Sequence, residues 1–290
     1  MKTGLLKFVQ LFNPKQPHLL ALLFGGLSVL AFAPFEFSPI MLGTLAGLFW
    51  LWLKSESRFE GFKIGLWFGL GLFGVGVSWL FSSMYFYSGV PLVFAGLATF
   101  GFVLFLSLYS AFAGWLARYF FDENRIGLML LVLFPAVWVL SELLRGMLFG
   151  GFPFLQVGMT HLGTWLEGYA PLVGSLGVSW AVAMSAGLLV WFVIQRAWFL
   201  PSVLLCFLWA IGGLLQDVRW VEPVGKPIDV ALIQGNISQD KKWLPDEFYP
   251  TLKTYVNLTK EHMSADLVVW PETAVPTYYD VVEQGALRTF

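Results

Sequence analysis

Apolar positions fall into long unbroken runs before residue 216 and into short, spaced runs after it. Crossing about 30 Å of hydrocarbon takes roughly 20 helical residues, fewer if the bilayer thins locally. Seven stretches read as such crossings: 18–33, 39–53, 61–81, 91–120, 126–144, 171–195 and 198–215. The first two are short and are separated by the tight, proline-containing PFEFSP. The third carries glycines at 65, 69, 71, 74 and 76, spacings that let another helix approach closely.

From residue 216 the pattern changes. QDVRWVEPVGKP, 216–227, is polar and proline-containing and reads as a linker. IDVALI, 228–233, suits a short buried strand, and the QGN that follows breaks it. Residues 246–263 predict a helix, with Phe248, Leu252, Tyr255, Val256 and Met263 at roughly helical spacing. DLVVW, 266–270, is a second buried strand. A β-α-β unit of this kind pairs its strands in parallel, and ligands gather beyond their carboxyl ends, where QGN and PET fall.

Composition agrees with the runs: 58% of residues are hydrophobic and 12% charged, and the mean hydropathy is +0.73. These values belong to a membrane protein. A formal net charge of −1 gives no reason to expect a nucleic-acid partner. The single cysteine, Cys206, sits within the last run, where it reads as a small hydrophobe. His18, His161 and His262 have no ligand-like spacing, so no metal site is expected.

Basic residues set the expected orientation, because cytoplasmic loops next to spans retain Lys and Arg. Nine flank the runs on one side: Lys2, Lys7, Lys15, Lys54, Arg58, Lys63, Arg118, Arg125 and Arg196. The alternate loops, 34–38, 82–90 and 145–170, hold only Arg145. The N-terminus is therefore expected to be cytoplasmic, its first run a retained span, and everything after residue 215 to lie on the outer face.

Several motifs in order carry a resemblance. IQGNI and VVWPET on successive strands resemble the nitrilase superfamily. LAFAPFEF, the glycine-rich third run ending in VSW, SELLRG followed by GFPFLQVG, and QGNISQDKKW look like the apolipoprotein N-acyltransferase family. The resemblance implies an α-helical transmembrane bundle, residues 1–215, a linker at 216–227, and at 228–290 the start of an outward-facing, periplasmic α/β nitrilase-like domain of the αββα sandwich type. It also implies a bacterial inner-membrane enzyme that passes an acyl chain from a phospholipid donor, through a cysteine thioester, to the amine of a diacylglyceryl-cysteine apolipoprotein. No cofactor is implied, and a monomer embedded in membrane lipid is expected.

By motif position Glu272 is the general base of a Glu-Lys-Cys triad, and neighbouring Trp270, Pro271 and Val275 could supply the apolar surround a base needs. The family's lysine and cysteine come after that glutamate, yet no Lys follows Lys260 and no Cys follows Cys206. The 290-residue chain alone is thus expected to be inactive. Trp243 matches a tryptophan near the acyl pocket, or is an interfacial anchor. Glu142 and Arg145, three apart at the outer end of the fifth run, either form a polar mouth for head groups with Gln156 or pair to fix helix packing. Two other classes stay open: a non-catalytic remnant or split-protein partner, and a transporter. Little charge within the runs and no clear repeat between halves count against the transporter.

Overall fold

A computed structural model describes residues 16–195 and 198–277. Lys2, Lys7, Lys15, Arg196 and residues 278–290 lie outside the described residues. The chain divides after Trp220 into two compact units.

The first unit is a helical bundle. α1, Pro17–Ser28, continues through a 3₁₀ turn, Val29–Ala31. α2 is Pro39–Lys54, α3 Arg58–Gly76 and α4 Trp79–Ser82, which passes into a π turn, Ser83–Tyr87. α5, Leu92–Tyr119, precedes the short α6, Ile126–Leu128, a second π turn, Met129–Leu133, and α7, Phe134–Met147. α8 is Ala170–Gln195 and α9 Phe199–Gln216. All seven apolar runs fall on helices. Four described spans are long and apolar enough to cross a membrane, and the α3–α4 pair, bent by 45°, is either a fifth, broken span or a re-entrant loop. The first two helical stretches, Pro17–Ala31 and Pro39–Lys54, are shorter apolar helices. This is a multi-pass membrane protein.

Local chemistry fixes the helix ends. Pro17 and Pro39 start α1 and α2, where a missing N–H costs nothing. Ser57 caps α3 by accepting from the Glu60 amide at 3.1 Å, the serine half of a capping box. The break after α3 coincides with Gly76 and Ser78, whose hydroxyl donates to the Val75 carbonyl at 2.8 Å. The π turn Met129–Leu133 precedes Pro135, which cannot donate to the carbonyl four residues back.

Lipid offers helices no hydrophobic reason to associate, so close backbone approach and interhelical hydrogen bonds must hold the bundle. α3 is its centre, packing most extensively against α5 and then α1. A Cβ on Gly65 would overlap the Ser110 carbonyl of α5, and one on Gly71 the Leu22 carbonyl of α1. Ser28 of α1 donates to Thr44 of α2 at 2.7 Å, and Trp209 of α9 to Ser185 of α8 at 3.1 Å. Phe49, Trp52 and Phe134 form a fully buried aromatic cluster, with ring centroids 5.5–5.6 Å apart. By contrast, Val93, Phe94, Leu97 and Phe100 of α5 stay exposed, as a lipid face requires.

The second unit opens with two strands, β1, Val230–Leu232, and β2, Leu267–Val269, paired in parallel with Leu232 opposite Val269. α10, Phe248–Glu261, connects them and packs on one sheet face, where Ile233, Tyr255 and Ala274 make a small core with Ala231 and Val268. Val230, Leu232, Leu267 and Val269 stand exposed on the other. The predicted β-α-β order and parallel pairing are what the chain adopts, with strands of three residues.

Gly65→Leu should lower the thermal midpoint of detergent-purified protein by several degrees or leave only aggregate, because overpacking a tight seam costs about 1–3 kcal/mol or more. Gly96→Leu, with no atom within 4 Å of the new Cβ, should leave size-exclusion profile and midpoint nearly unchanged. Equal tolerance of the two would sink the close-packing account.

Candidate functional site

Loops joining α1 to α2, α3 to α4 and α7 to α8 meet at one end of the bundle around a cavity of about 840 Å³. Phe32, Glu36, Trp79, Phe152, Gln156 and Thr164 represent its mixed lining. Gln156 is among the lining residues, its Oε1 accepting from Ser175 Oγ at 2.8 Å, whereas Glu142 and Arg145, expected to share a mouth with it, are not. Glu36, within LAFAPFEF, is the only charged residue between the first two runs, a signal in the sequence that marks it. It is the one carboxylate among the lining residues, which include no Lys or Arg. A second, apolar crevice of about 380 Å³ lies among α7, α8 and α9, lined by Val139, Tyr169, Trp180 and Leu208.

Glu142 and Arg145 are buried beneath the loop that follows α7. Their charges lie close enough to attract, but no ion-pair contact within 4 Å joins them. Each grips loop backbone instead. Arg145 Nη1 donates to the Phe152 carbonyl at 2.7 Å and to the Phe154 carbonyl, and Nη2 donates to that of Leu155 at 3.4 Å. Glu142 Oε1 accepts from Trp138 Nε1 at 3.0 Å and from the Val157 amide at 2.8 Å. Phe149, Gly150, Gly151 and Leu155 all have positive φ, so helix or strand ladders cannot satisfy this backbone. The i,i+3 spacing put both charges on one face, but only the fold reveals that their partners are carbonyls and an amide 7–15 residues on.

His161 is fully buried at the end of the next loop. Thr160 Oγ1 donates its hydrogen to the Val157 carbonyl at 2.7 Å, so His161 Nδ1 must donate to Thr160 Oγ1 at 2.8 Å. That leaves Nε2 unprotonated, and it is enclosed with no partner among the described residues. Burial drives the imidazole down from its ordinary 6.5 to about 4. It packs edge-on to Trp209 as a neutral ring. Among the described residues no three His, Cys, Asp or Glu side chains gather as a metal site.

In the second unit Glu272 stands exposed in the turn just beyond β2. The turn is closed by the Ala274 amide donating to the Pro271 carbonyl at 3.2 Å, with Thr273 at φ 57. Parallel pairing in register makes β1 and β2 end side by side, so QGN and Glu272 leave the same end of the sheet. Trp270 is held by α10: its Nε1 donates to Thr259 Oγ1 at 2.9 Å and its ring lies 5.3 Å from Tyr255. It packs on the helix side of the strand end, so of the three expected neighbours it is committed elsewhere. Trp243 is 61% exposed, in a turn at 239–243.

Arg145→Gln should unlatch the loop, costing on the order of 3 kcal/mol and opening residues 148–157 to proteolysis; unchanged melting and cleavage would contradict the latch. For His161 the sign follows from its depressed value. Stability is complete above pH 6.5 and falls, by at most about 3 kcal/mol, as pH drops from 6.5 to about 4, because the unfolded chain then binds a proton that the fold rejects. Thermal melting across that range should show the slope, and His161→Gln should flatten it whatever its own midpoint.

Residues 24–188 match the apolipoprotein N-acyltransferase N-terminal domain family, and residues 229–288 match the carbon-nitrogen hydrolase family. The chain is similar to the apolipoprotein N-acyltransferase of Methylococcus capsulatus, 42% identical over an alignment of 276 residues, with 93% of this chain and 53% of the relative covered. For those of Coxiella burnetii and Pseudomonas syringae the identity is 37%, over 89% and 92% of this chain and 54% and 53% of theirs. The chain spans about half the length of the curated relatives it matches. With the bundle and the β-α-β unit each matched in order, this chain belongs to the apolipoprotein N-acyltransferase family.

Proposed function

We propose that this sequence supplies the membrane bundle and the base-bearing strand end of an enzyme that acylates lipoprotein N-termini in the bacterial inner membrane. The observation that carries the reading is the shared sheet end. Register pairing of Leu232 with Val269 sends the QGN segment and the PET turn out together, and a carboxylate there is poised for proton transfer. In the first half-reaction the base takes the cysteine thiol proton, the sulfur adds to a phospholipid ester carbonyl, and the ester C–O bond breaks to leave the thioester while the base returns the proton to the departing lysophospholipid oxygen, which leaves as an alcohol. In the second, the amine of diacylglyceryl-cysteine adds to the thioester, an amide forms, and the thiol is restored. Glu272 is the proton acceptor in both. The nucleophile and its companion lysine correspond to no residue of this sequence, and Cys206, exposed on α9, takes no part.

In the same reading residues 1–215 form the membrane domain, 216–227 the linker, and 228–290 the first part of a periplasmic catalytic domain. The donor's head group enters at the 840 Å³ cavity, where Gln156 contributes a polar wall and Glu142 and Arg145 act through the loop they hold. Trp243 contacts acyl chains from its exposed turn. The N-terminus is cytoplasmic, which is supported by two of the loops poor in Lys and Arg, 34–38 and 145–170, lining the cavity together.

Glu272→Gln in the native polypeptide should reduce transfer to a diacylglyceryl-cysteine peptide by about 10²–10⁴-fold while membrane insertion is unchanged. Retention of full turnover would remove Glu272 as the base. Cysteines placed at Glu36 and Ser88 should react with an impermeant maleimide in intact spheroplasts, and one at Glu56 only after lysis; the reverse pattern would invert the topology.

A further inference from the structure

At the other end of the bundle, α3 begins and α5 ends, and two arginines flank their seam. Arg118 of α5 lays its stem against Gly61 of α3, where a Cβ would stand 2.7 Å from Arg118 Cγ. Its guanidinium rests 3.9 Å from the Phe121 ring centroid, and Nε and Nη1 are enclosed with no hydrogen-bond acceptor among the described residues. Arg58, exposed in the first turn of α3, lies 5.8 Å from the ring of Tyr119, the neighbour of Arg118. No described carboxylate comes within 4 Å of either guanidinium. Two of the nearby acids are engaged elsewhere: Glu60 meets His18 at 2.9 Å and Lys63 at 3.7 Å, and Asp122 meets Arg125 at 3.5 Å.

Two properties identify what this arrangement lacks. Guanidinium forks match phosphate oxygens in pairs; Arg58 is exposed and can meet an oxyanion directly, whereas Nε and Nη1 of Arg118 are covered by the protein and add uncompensated positive charge behind it. Depth supplies the source. Phe59, Tyr119 and Phe120 are exposed beside the arginines, an aromatic girdle of the sort that sits at the head-group level of a bilayer. An acceptor arriving there comes from lipid, and with no described carboxylate within 4 Å of either guanidinium the two cations favour a head group of net negative charge.

We propose that Arg58 and Arg118 form a binding site for the phosphodiester of an anionic phospholipid, held at the α3–α5 seam at the bundle end opposite the cavity. This rests on the bundle alone and is independent of acyl transfer. The lipid acts as a clasp across two helices whose glycine contact at Gly61 and Gly114 brings their backbones together.

Native mass spectrometry of the full chain in mild detergent tests it, with phosphatidylglycerol or phosphatidylcholine added. Wild-type protein should retain phosphatidylglycerol through gas-phase activation at least tenfold more than phosphatidylcholine. Arg58→Gln, at an exposed position that folding does not need, should reduce that retention about tenfold. Arg118→Gln should reduce it further and abolish the rise in melting temperature that the lipid gives. Lys63→Gln and Arg125→Gln, which remove cations already paired, should retain it. Equal retention of the two lipids, full retention by both arginine variants, or equal loss in the paired-cation controls would each overturn the proposal.

Discussion

The structure depends on two charges buried under a stretch of backbone that cannot satisfy itself. Between α7 and α8 the chain runs through positive φ at Phe149, Gly150, Gly151 and Leu155, beside a membrane, where an unpaired carbonyl or amide is expensive. Arg145 takes three of the carbonyls and Glu142 takes the amide of Val157. Phe152, Phe154, Leu155 and Gln156 line the cavity, so the latch behind the wall sets the shape of the space in front of it. Neither charge touches the cavity itself. A polar pair near the end of a span can thus serve a site without facing it.

That latch marks where sequence reasoning reached its limit. Membrane runs, their glycine seam and the β-α-β order were legible because each is periodic or compositional: apolar length, small residues at close spacing, short strands bounded by QGN and PET. The break of the third run at Gly76 and Ser78 left the run itself continuous in apolarity, so one long stretch became two helices. Glu142 and Arg145 were legible as a pair of interest, but their partners are backbone groups, and every residue type carries those. Glu36 stands out as the only charged residue between the first two runs, but its place on the cavity depends on two distant loops.

The two units rely on different physics. The bundle closes by backbone proximity, with α3 bare enough at Gly65 and Gly71 for neighbours on either side. The β-α-β unit has little to bury: three residues form its core, and four strand side chains remain uncovered on the far face. Its order at the strand end comes from single bonds such as Trp270 to Thr259, which ties β2 to the helix that connects it to β1. A candidate base two residues beyond that tryptophan inherits its position from a local anchor.

The widened turn at Met129–Leu133 has a consequence for how the fifth span is phased. A π turn inserts one residue into the helical repeat, which rotates everything beyond it by roughly 100° relative to a continuous α-helix. Projected without that insertion, the stripe beginning at Ile126 would present Glu142 and Arg145 about a quarter-turn away from the loop they hold. The widened turn therefore acts as a phase shifter, fixing from a distance of about three turns which side of α7 carries charge. Removing a single residue from MLLVL would leave composition and length almost untouched, yet turn both charges off their partners.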